Sequence, residues 1–306
     1  MTGIRFVEVG APGATRDEIV VGLSSTALSA DQCIAAMKYT FVLVEAEPTS
    51  PIEIAVSDLG AATSRLTRAV DVNPLAAATL CGILRSERPV ADGLVVESLA
   101  YSMLLAGSEF ARWRSSRPVR PIPDPTEPSV LLARSDDLLV ITLNRPERRN
   151  AYGITVRDGL IEGLDLALAD ETIARVIVRG NGAAFCSGGD LDEFGSSPDP
   201  VTAHLIRLDR SAARRMHALR DRLDVELHGA CIGAGIELAS FAGHVTARAD
   251  TVAVLPELAM GLIPGAGGTV GITRRIGRWR AAYLALSGAP LSAQAAFNWG
   301  LVDELV

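Results

Sequence analysis

Apolar and polar positions change their period repeatedly along this chain, and the changes predict its elements. Residues 18–23 and 39–46 are short apolar, β-branched-rich runs of strand length. Between them, residues 29–37 begin with Ser29 and carry Gln32 three positions later, the capping-box pattern that opens a helix. Residues 58–70 have helical periodicity, Asn73-Pro74 marks a helix start, and 93–113 predict a long amphipathic helix. The first part thus predicts two strands followed by helices. Residues 118–128, PVRPIPDPTEP, then place five prolines in eleven positions, which suits neither a helix nor a central strand and predicts a stiff linker.

After the linker the pattern alternates between strand and helix. Residues 130–134 and 138–143 read as a hairpin around Ser135-Asp136-Asp137, 154–168 as a helix and 175–178 as a strand. Residues 200–220 predict one long arginine-bearing helix, expected to carry i,i+4 ion pairs. A strand-to-helix passage over 225–241, a Gly-rich loop, and helices across 269–287 and 293–299 complete the chain. Alternation of this kind predicts an α/β architecture. The division is into an N-terminal, mostly helical α/β domain over 1–117, the linker over 118–128 and a core over 129–306.

Composition narrows the function classes. The chain has 306 residues, 48% hydrophobic and 21% charged, enough to bury a substantial core and too apolar for wholesale disorder. A net charge of -7 argues against non-specific nucleic-acid binding, which needs a positive field. Lys38 is the only lysine, a skew that fits GC-rich coding bias. The opening residues lack a signal-peptide pattern, and the apolar stretch 93–107 is interrupted by Glu97 and falls short of a bilayer span. A cytoplasmic, non-membrane protein is expected. Cys33, Cys81, Cys186 and Cys231 are scattered without CxxC spacing, and the four histidines form no ligand pattern, so neither a disulfide framework nor a bound metal is expected.

Three Gly-rich passages carry the candidate chemistry. In HGACIGAGIELA, residues 228–239, a strand feeds a turn of small residues that opens a helix, exposing backbone N–H groups to a ligand oxygen. Its glycines do not fit GxGxxG, which argues against a dinucleotide site. AFCSGGDL, residues 184–191, is a second loop able to supply a backbone donor; Phe185 two positions before Ser187 breaks GxSxG, and no Ser/His/Asp set accompanies it. Glu237 and Glu257 lie twenty residues apart. A strand returning after the helix of Glu237 would bring them together, and adjacent carboxyls repel, so that one keeps a proton while the other ionises. The third passage, GLIPGAGGT at 261–269, is another turn opening a helix.

In their order VITLNRPERRNA, AFCSGGDL, HGACIGAGIELA, LPELAMGLIPGAGGT and LSAQAAFNWGLVDELV, these segments resemble the crotonase (enoyl-CoA hydratase/isomerase) superfamily across residues 129–306. The resemblance implies a crotonase-like ββα spiral core and an acyl-CoA thioester substrate whose carbonyl is held by the N–H groups of Gly189 and Ala234. It implies Glu237 and Glu257 as the acid–base pair of a hydratase, Gly265 as a donor to the reacting water, and coenzyme A near Arg148, Asn150, Ala151, Asp190 and Leu191, with Arg148 and Arg149 toward its phosphates. Coenzyme A enters as part of the substrate and no separate cofactor is implied. Double-bond isomerisation by Glu257 alone and non-catalytic acyl-CoA binding remain the alternatives. The family assembles as trimers or dimers of trimers, so a homo-oligomer is expected.

The chain departs from the family in ending where a helical module normally follows. The N-terminal part reads like that module, with LSADQ at Leu28, NPLAAATLCGILR from Asn73 and GLVVESLAYSMLLAGSEFARW from Gly93. The expectation is a displaced or duplicated C-terminal module that packs where those helices would go, on its own core or on a neighbouring subunit's. A second departure, Gly243-His244 where relatives often place an acidic residue, is expected to affect local packing.

Overall fold

In the computed structural model, which describes residues 3–11, 18–118, 120–121, 125–197 and 199–306, the apolar runs near the N-terminus form a parallel sheet. Its strands, in spatial order, are β1 (Ile4–Glu8), β2 (Ile19–Ser24), β3 (Phe41–Val44) and β4 (Glu53–Ala55). Successive side chains point to opposite faces. Ile19, Val21, Phe41 and Leu43 therefore enter the main core, while Val20, Val42 and Val44 join Leu28, Ala36 and Tyr39 in a second cluster. Burial of both faces is why these strands are continuous apolar runs. The sequence pattern predicts two of the four strands; β1 mixes Arg5 and Glu8 with its apolar positions, and β4 has only three residues.

Helix α1 (Ala30–Ala36) links β2 to β3, and its capping box forms: Gln32 N donates to Ser29 Oγ and Ser29 N donates to Gln32 Oε1. Helices α2 (Leu59–Val72), α3 (Pro74–Leu84), α4 (Val90–Leu105) and α5 (Ser108–Ser115) follow. The single helix predicted over 93–113 is instead two, bent by 61° at Ala106-Gly107. Among the described residues no single helix is long and apolar enough to cross a membrane. Residues 119 and 122–124 of the predicted linker lie outside the described residues.

The second part begins with the predicted hairpin, β5 (Val130–Ser135) and β6 (Leu138–Leu143), then α6 (Ile154–Ala169) and β7 (Arg175–Gly180). The long helix predicted over 200–220 is broken into α7 (Pro200–Asp209) and α8 (Ala212–Leu219), because the Ser211 side chain accepts from Arg214 N and starts a new helix. Among the described residues the ion pairs of this stretch are not spaced i,i+4: Arg210 pairs with Asp209, Arg220 with Asp221, and Arg215 with Asp165 on α6 while also donating to the Ser211 carbonyl; beyond α8, Arg222 donates to the Ala167 and Ile173 carbonyls. Next come β8 (Leu223–Leu227), β9 (Ala230–Ile232), α9 (Ala234–Ala239), β10 (His244–Ala247), β11 (Val252–Val254) and α10 (Gly268–Ser287). The last elements are β12 (Leu291–Ser292), α11 (Ala293–Trp299) and β13 (Glu304–Leu305). Six strands make one sheet in the order β13-β10-β8-β7-β6-β5, antiparallel only at β5–β6, and β12-β11-β9 make a second.

Helix α10 joins the two parts of the chain. α2, α3, α4 and the N-terminal sheet pack on it along with α9, and Phe41 meets Tyr283 edge-on at 5.6 Å. One hydrophobic cluster runs from Ile19 to Val302, so both parts of the chain share a core. Residues 73–113 are docked on the 129–306 segment of their own chain: Asn73 Nδ2 donates to the Leu258 carbonyl at 2.7 Å, and α4 lies against α7, α8 and α10.

Candidate active site

The strand pairing predicted to unite the two glutamates is present. β9 and β11 run parallel with Ile232 opposite Val254, and Gly233 N donates to Val254 O at 2.8 Å. α9 starts immediately after β9 and carries Glu237; the 3-10 turn Glu257–Met260 follows β11 and carries Glu257. Both carboxyls close over Gly233. A Cβ on this residue would run into Glu257 Oε1 and stand 3.7 Å from Glu237 Oε1, and its φ of 47° with ψ of -118° is one an L side chain rarely adopts. The turn between the glutamates thus depends on glycine for space and for backbone geometry.

The two carboxyls are held differently. Glu237 Oε2 accepts from Ala266 N at 2.8 Å and Gly268 N at 2.9 Å, at the start of α10. Glu257 Oε2 is buried and has no hydrogen-bond partner among the described residues. Burial raises Glu237 well above the usual carboxyl range, and the nearby charges of Glu257 and Glu97 add to the shift. Burial pushes Glu257 up to about 8, again with Glu97 contributing. Groups that interact this closely titrate as a set, and the set keeps protons near neutral pH.

Both glutamates line a cleft of about 890 Å3 together with Gly189, Ala234 and Gly265. Gly189 pairs with Tyr152 in an isolated bridge whose bonds run from Tyr152 N to Gly188 O and from Asp190 N to Tyr152 O, leaving the Gly189 amide outside the bridge. Ala234 is the first residue of α9, where an amide has no acceptor in its own helix. Gly265 lies under the ring of Tyr101, which arrives from α4. These five predicted residues are therefore brought together around one space.

Of the positions expected to surround coenzyme A, only Asp190 lines this cleft. Arg148 is not a free cation: its guanidinium grips Asp190 through two bonds of 2.7 and 3.1 Å and reaches Asp192 at 2.9 Å. Asn150 is wholly buried, with its Nδ2 donating to the Asn181, Ala184 and Phe185 carbonyls and its Oδ1 accepting from Arg145 N. It shapes the loop and presents no side-chain atom to a ligand. Ala151 and Leu191 lie outside the cleft lining, and Arg149 accepts through its carbonyl from Ser187 N. Sequence reading gives no role to several residues that do line the cleft, among them Glu97, Tyr101, Arg114 and Arg207. Glu97 alone carried a signal, as the one charge inside an apolar stretch.

The second part of the chain is similar to known proteins. The family model described as enoyl-CoA hydratase/isomerase matches residues 133–306. A 2,3-dehydroadipyl-CoA hydratase of Escherichia coli (strain K12) is 34% identical over 176 residues, covering 58% of this chain and 68% of the relative. A 1,2-epoxyphenylacetyl-CoA isomerase of the same strain is 35% identical over 174 residues, covering 55% and 66%. The crystal structure of an enoyl-CoA hydratase from Thermoplasma volcanium GSS1 superposes with a TM-score of 0.54 at 35% identity, covering 59% of this chain and 72% of that one. This chain spans about two thirds of the length of these relatives.

Proposed function

The chain belongs to the enoyl-CoA hydratase/isomerase family, and from that membership we propose that it adds water reversibly to the double bond of a 2-enoyl-CoA thioester. The observation that carries this reading is the pair of buried glutamates, Glu237 and Glu257, meeting over Gly233 in the same cleft as Gly189 and Ala234. In the proposed reaction Glu237 takes a proton from water, whose oxygen attacks the β carbon. The π electrons move onto the thioester oxygen as an enolate, held by the Gly189 and Ala234 amides at ~3 kcal/mol per donor. Glu257 then gives its proton to the α carbon as the enolate collapses. A base and an acid are both needed, and two carboxyls that resist simultaneous ionisation supply them. Gly265 is proposed to steady the water, and coenzyme A enters with the substrate.

Isomerisation requires only one shuttling carboxyl, proposed as Glu257, and the similarity to an isomerase at 35% identity keeps it as the rival. Glu237→Gln separates them. For a hydratase, kcat on 2-enoyl-CoA substrates should fall by roughly 10²–10⁴-fold, the usual worth of a general acid–base group. Retained turnover of 3-enoyl-CoA substrates to the conjugated thioester by the same variant would favour isomerisation. Binding without turnover, across short, long and aromatic acyl groups in the wild-type protein, would favour a non-catalytic acyl-CoA binder.

A further inference from the structure

The turn at the start of α10 offers four consecutive amides, and they alternate between two carboxyls. Ala266 N and Gly268 N donate to Glu237, whereas Gly267 N donates to Glu97 Oε1 at 2.7 Å and Thr269 N to Glu97 Oε2 at 2.9 Å. The Thr269 hydroxyl adds a bond of 2.6 Å to Glu97 Oε2. Glu97 comes from α4, about 170 residues earlier in the chain, is 2% exposed, and borders the same cleft as the glutamate pair. Interleaved bonding of this kind lets neither carboxyl shift without moving the turn that holds the other.

Resting on the hydratase reading above, we propose that Glu97 is a positioning residue. It fixes the 266–269 turn so that two amides converge on Glu237, and it sets a third ionisable carboxyl beside the Glu237–Glu257 pair. The N-terminal segment thereby supplies part of the electrostatics of the site in addition to packing. Burial holds Glu97 itself up at about 7, against the bonds from Thr269 and Gly267 and the charge of Arg207.

The surroundings of Glu97 are consistent with this role. On α7, Arg207 stacks over Tyr101 at 4.4 Å and donates to Ser98 and Ser102, and His204 bonds to Ser98 Oγ. On α5, Glu109 accepts from Leu75 N and Ala76 N, and Arg112 donates to Val72 O and Asn73 Oδ1. On α8, Arg215 is tied to Asp165 and His217 lies against Phe241; on α10, Arg275 is tied to Asp303. α3 carries no charged side chain. The charge that acts on Glu97 is that of Arg207, and Glu97 in turn acts on Glu237 and Glu257.

The test is Glu97→Gln in the full chain, followed by hydration kinetics against pH and by infrared titration of the buried carboxyls. Removing the charge makes Glu237 and Glu257 easier to ionise, so both limbs of the kcat/KM profile should move to lower pH by about one unit. The effect should fall about tenfold on kcat and less than about twofold on KM. The infrared titration should show the remaining carboxyls ionising at lower pH. A lowered melting temperature with profile and titration unmoved would overturn the proposal and leave Glu97 a structural brace. If Glu97→Gln does not fold, Thr269→Ala removes one of the three bonds and makes Glu97 harder to ionise, so the Glu97 step should move to higher pH while those of Glu237 and Glu257 move to lower pH by less than in Glu97→Gln; an unchanged titration there would also overturn it. Should the wild-type protein not hydrate, the hydratase reading fails while the infrared titration still decides the role of Glu97.

Discussion

The wall of the cleft built from residues 223–269 and the wall built from α4 and α5 hold their carboxyls by different means. In the first, strand pairing does the positioning: β9 beside β11 brings Glu237 and Glu257 over Gly233. In the second, no sheet is involved, and Glu97 is placed by helix packing and by bonds to a turn far along the chain. The N-terminal helices also brace the first wall. Asn73 holds the Leu258 carbonyl beside Glu257, and α5 abuts Gly261 at the end of the same turn. The difference teaches that one cluster of buried carboxyls can be assembled partly by local strand pairing and partly by a segment distant in sequence.

The largest effect expected from this division is on stability against pH. Glu97 and Glu257 have an ordinary value of 4.5, and burial raises them to about 7 and about 8. Between those limits the native state binds more protons than the unfolded chain, so stability falls as pH rises. Their contribution is fully present below about 4.5 and is lost as pH passes through the folded values. Urea unfolding from pH 5 to pH 9 should show a decline on the order of several kcal/mol. Glu97→Gln and Glu257→Gln should each flatten part of that decline. A curve flattened entirely by Glu257→Gln and untouched by Glu97→Gln would mean that the α4 wall carries no titrating charge.

A smaller but still large effect is expected where the walls touch. Gly261 has φ 70°, and a Cβ there would stand 2.6 Å from Glu109 Cβ and 2.7 Å from Phe110 N. Main-chain atoms of α5 cannot swing aside as a side-chain tip can. Gly261→Ala should cost about 3 kcal/mol from left-handed strain and overpacking together. Because Glu109 caps α3 through Leu75 N and Ala76 N, the loss should appear as loosening of α3 and α5, read by amide exchange. A cost below about 1 kcal/mol would show that α5 is attached too softly to brace the site.

The first wall was legible in the sequence because its signals are local. Small residues in HGACIGAGIELA and the returning strand before Glu257 forecast a turn, a helix and a paired carboxyl. The capping box at Ser29 and the hairpin over 130–143 are likewise short-range patterns, and both formed. What the pattern missed depended on tertiary contacts. The bend at Ala106-Gly107 interrupts a run that reads as one helix, and Ser211 divides another by capping. The resemblance to the family implied ligand contact near Arg148 and Asn150, yet Asp190, Asp192 and the loop carbonyls satisfy their side chains from within. Glu97 was visible only as a charge out of place, since its partners lie at residues 267 and 269.

The smallest effect tests whether the N-terminal helices position Glu257 as well as Glu237. The Asn73 side chain is buried, donates to Leu258 O at 2.7 Å and accepts from Arg112 at 2.8 Å. Asn73→Ala leaves the Leu258 carbonyl to its remaining bond from Gly261 N, while Arg112 keeps the Val72 carbonyl. The expected cost is about 1 kcal/mol, the usual worth of a hydrogen bond whose partner stays buried. The turn carrying Glu257 is closed by its own bond from Leu262 N to Glu257 O, so kcat should remain within about twofold. A tenfold loss of kcat at nearly unchanged stability would place Glu257, too, under the control of the N-terminal helices, and the contrast between the two walls would shrink to a difference in which turn each one grips.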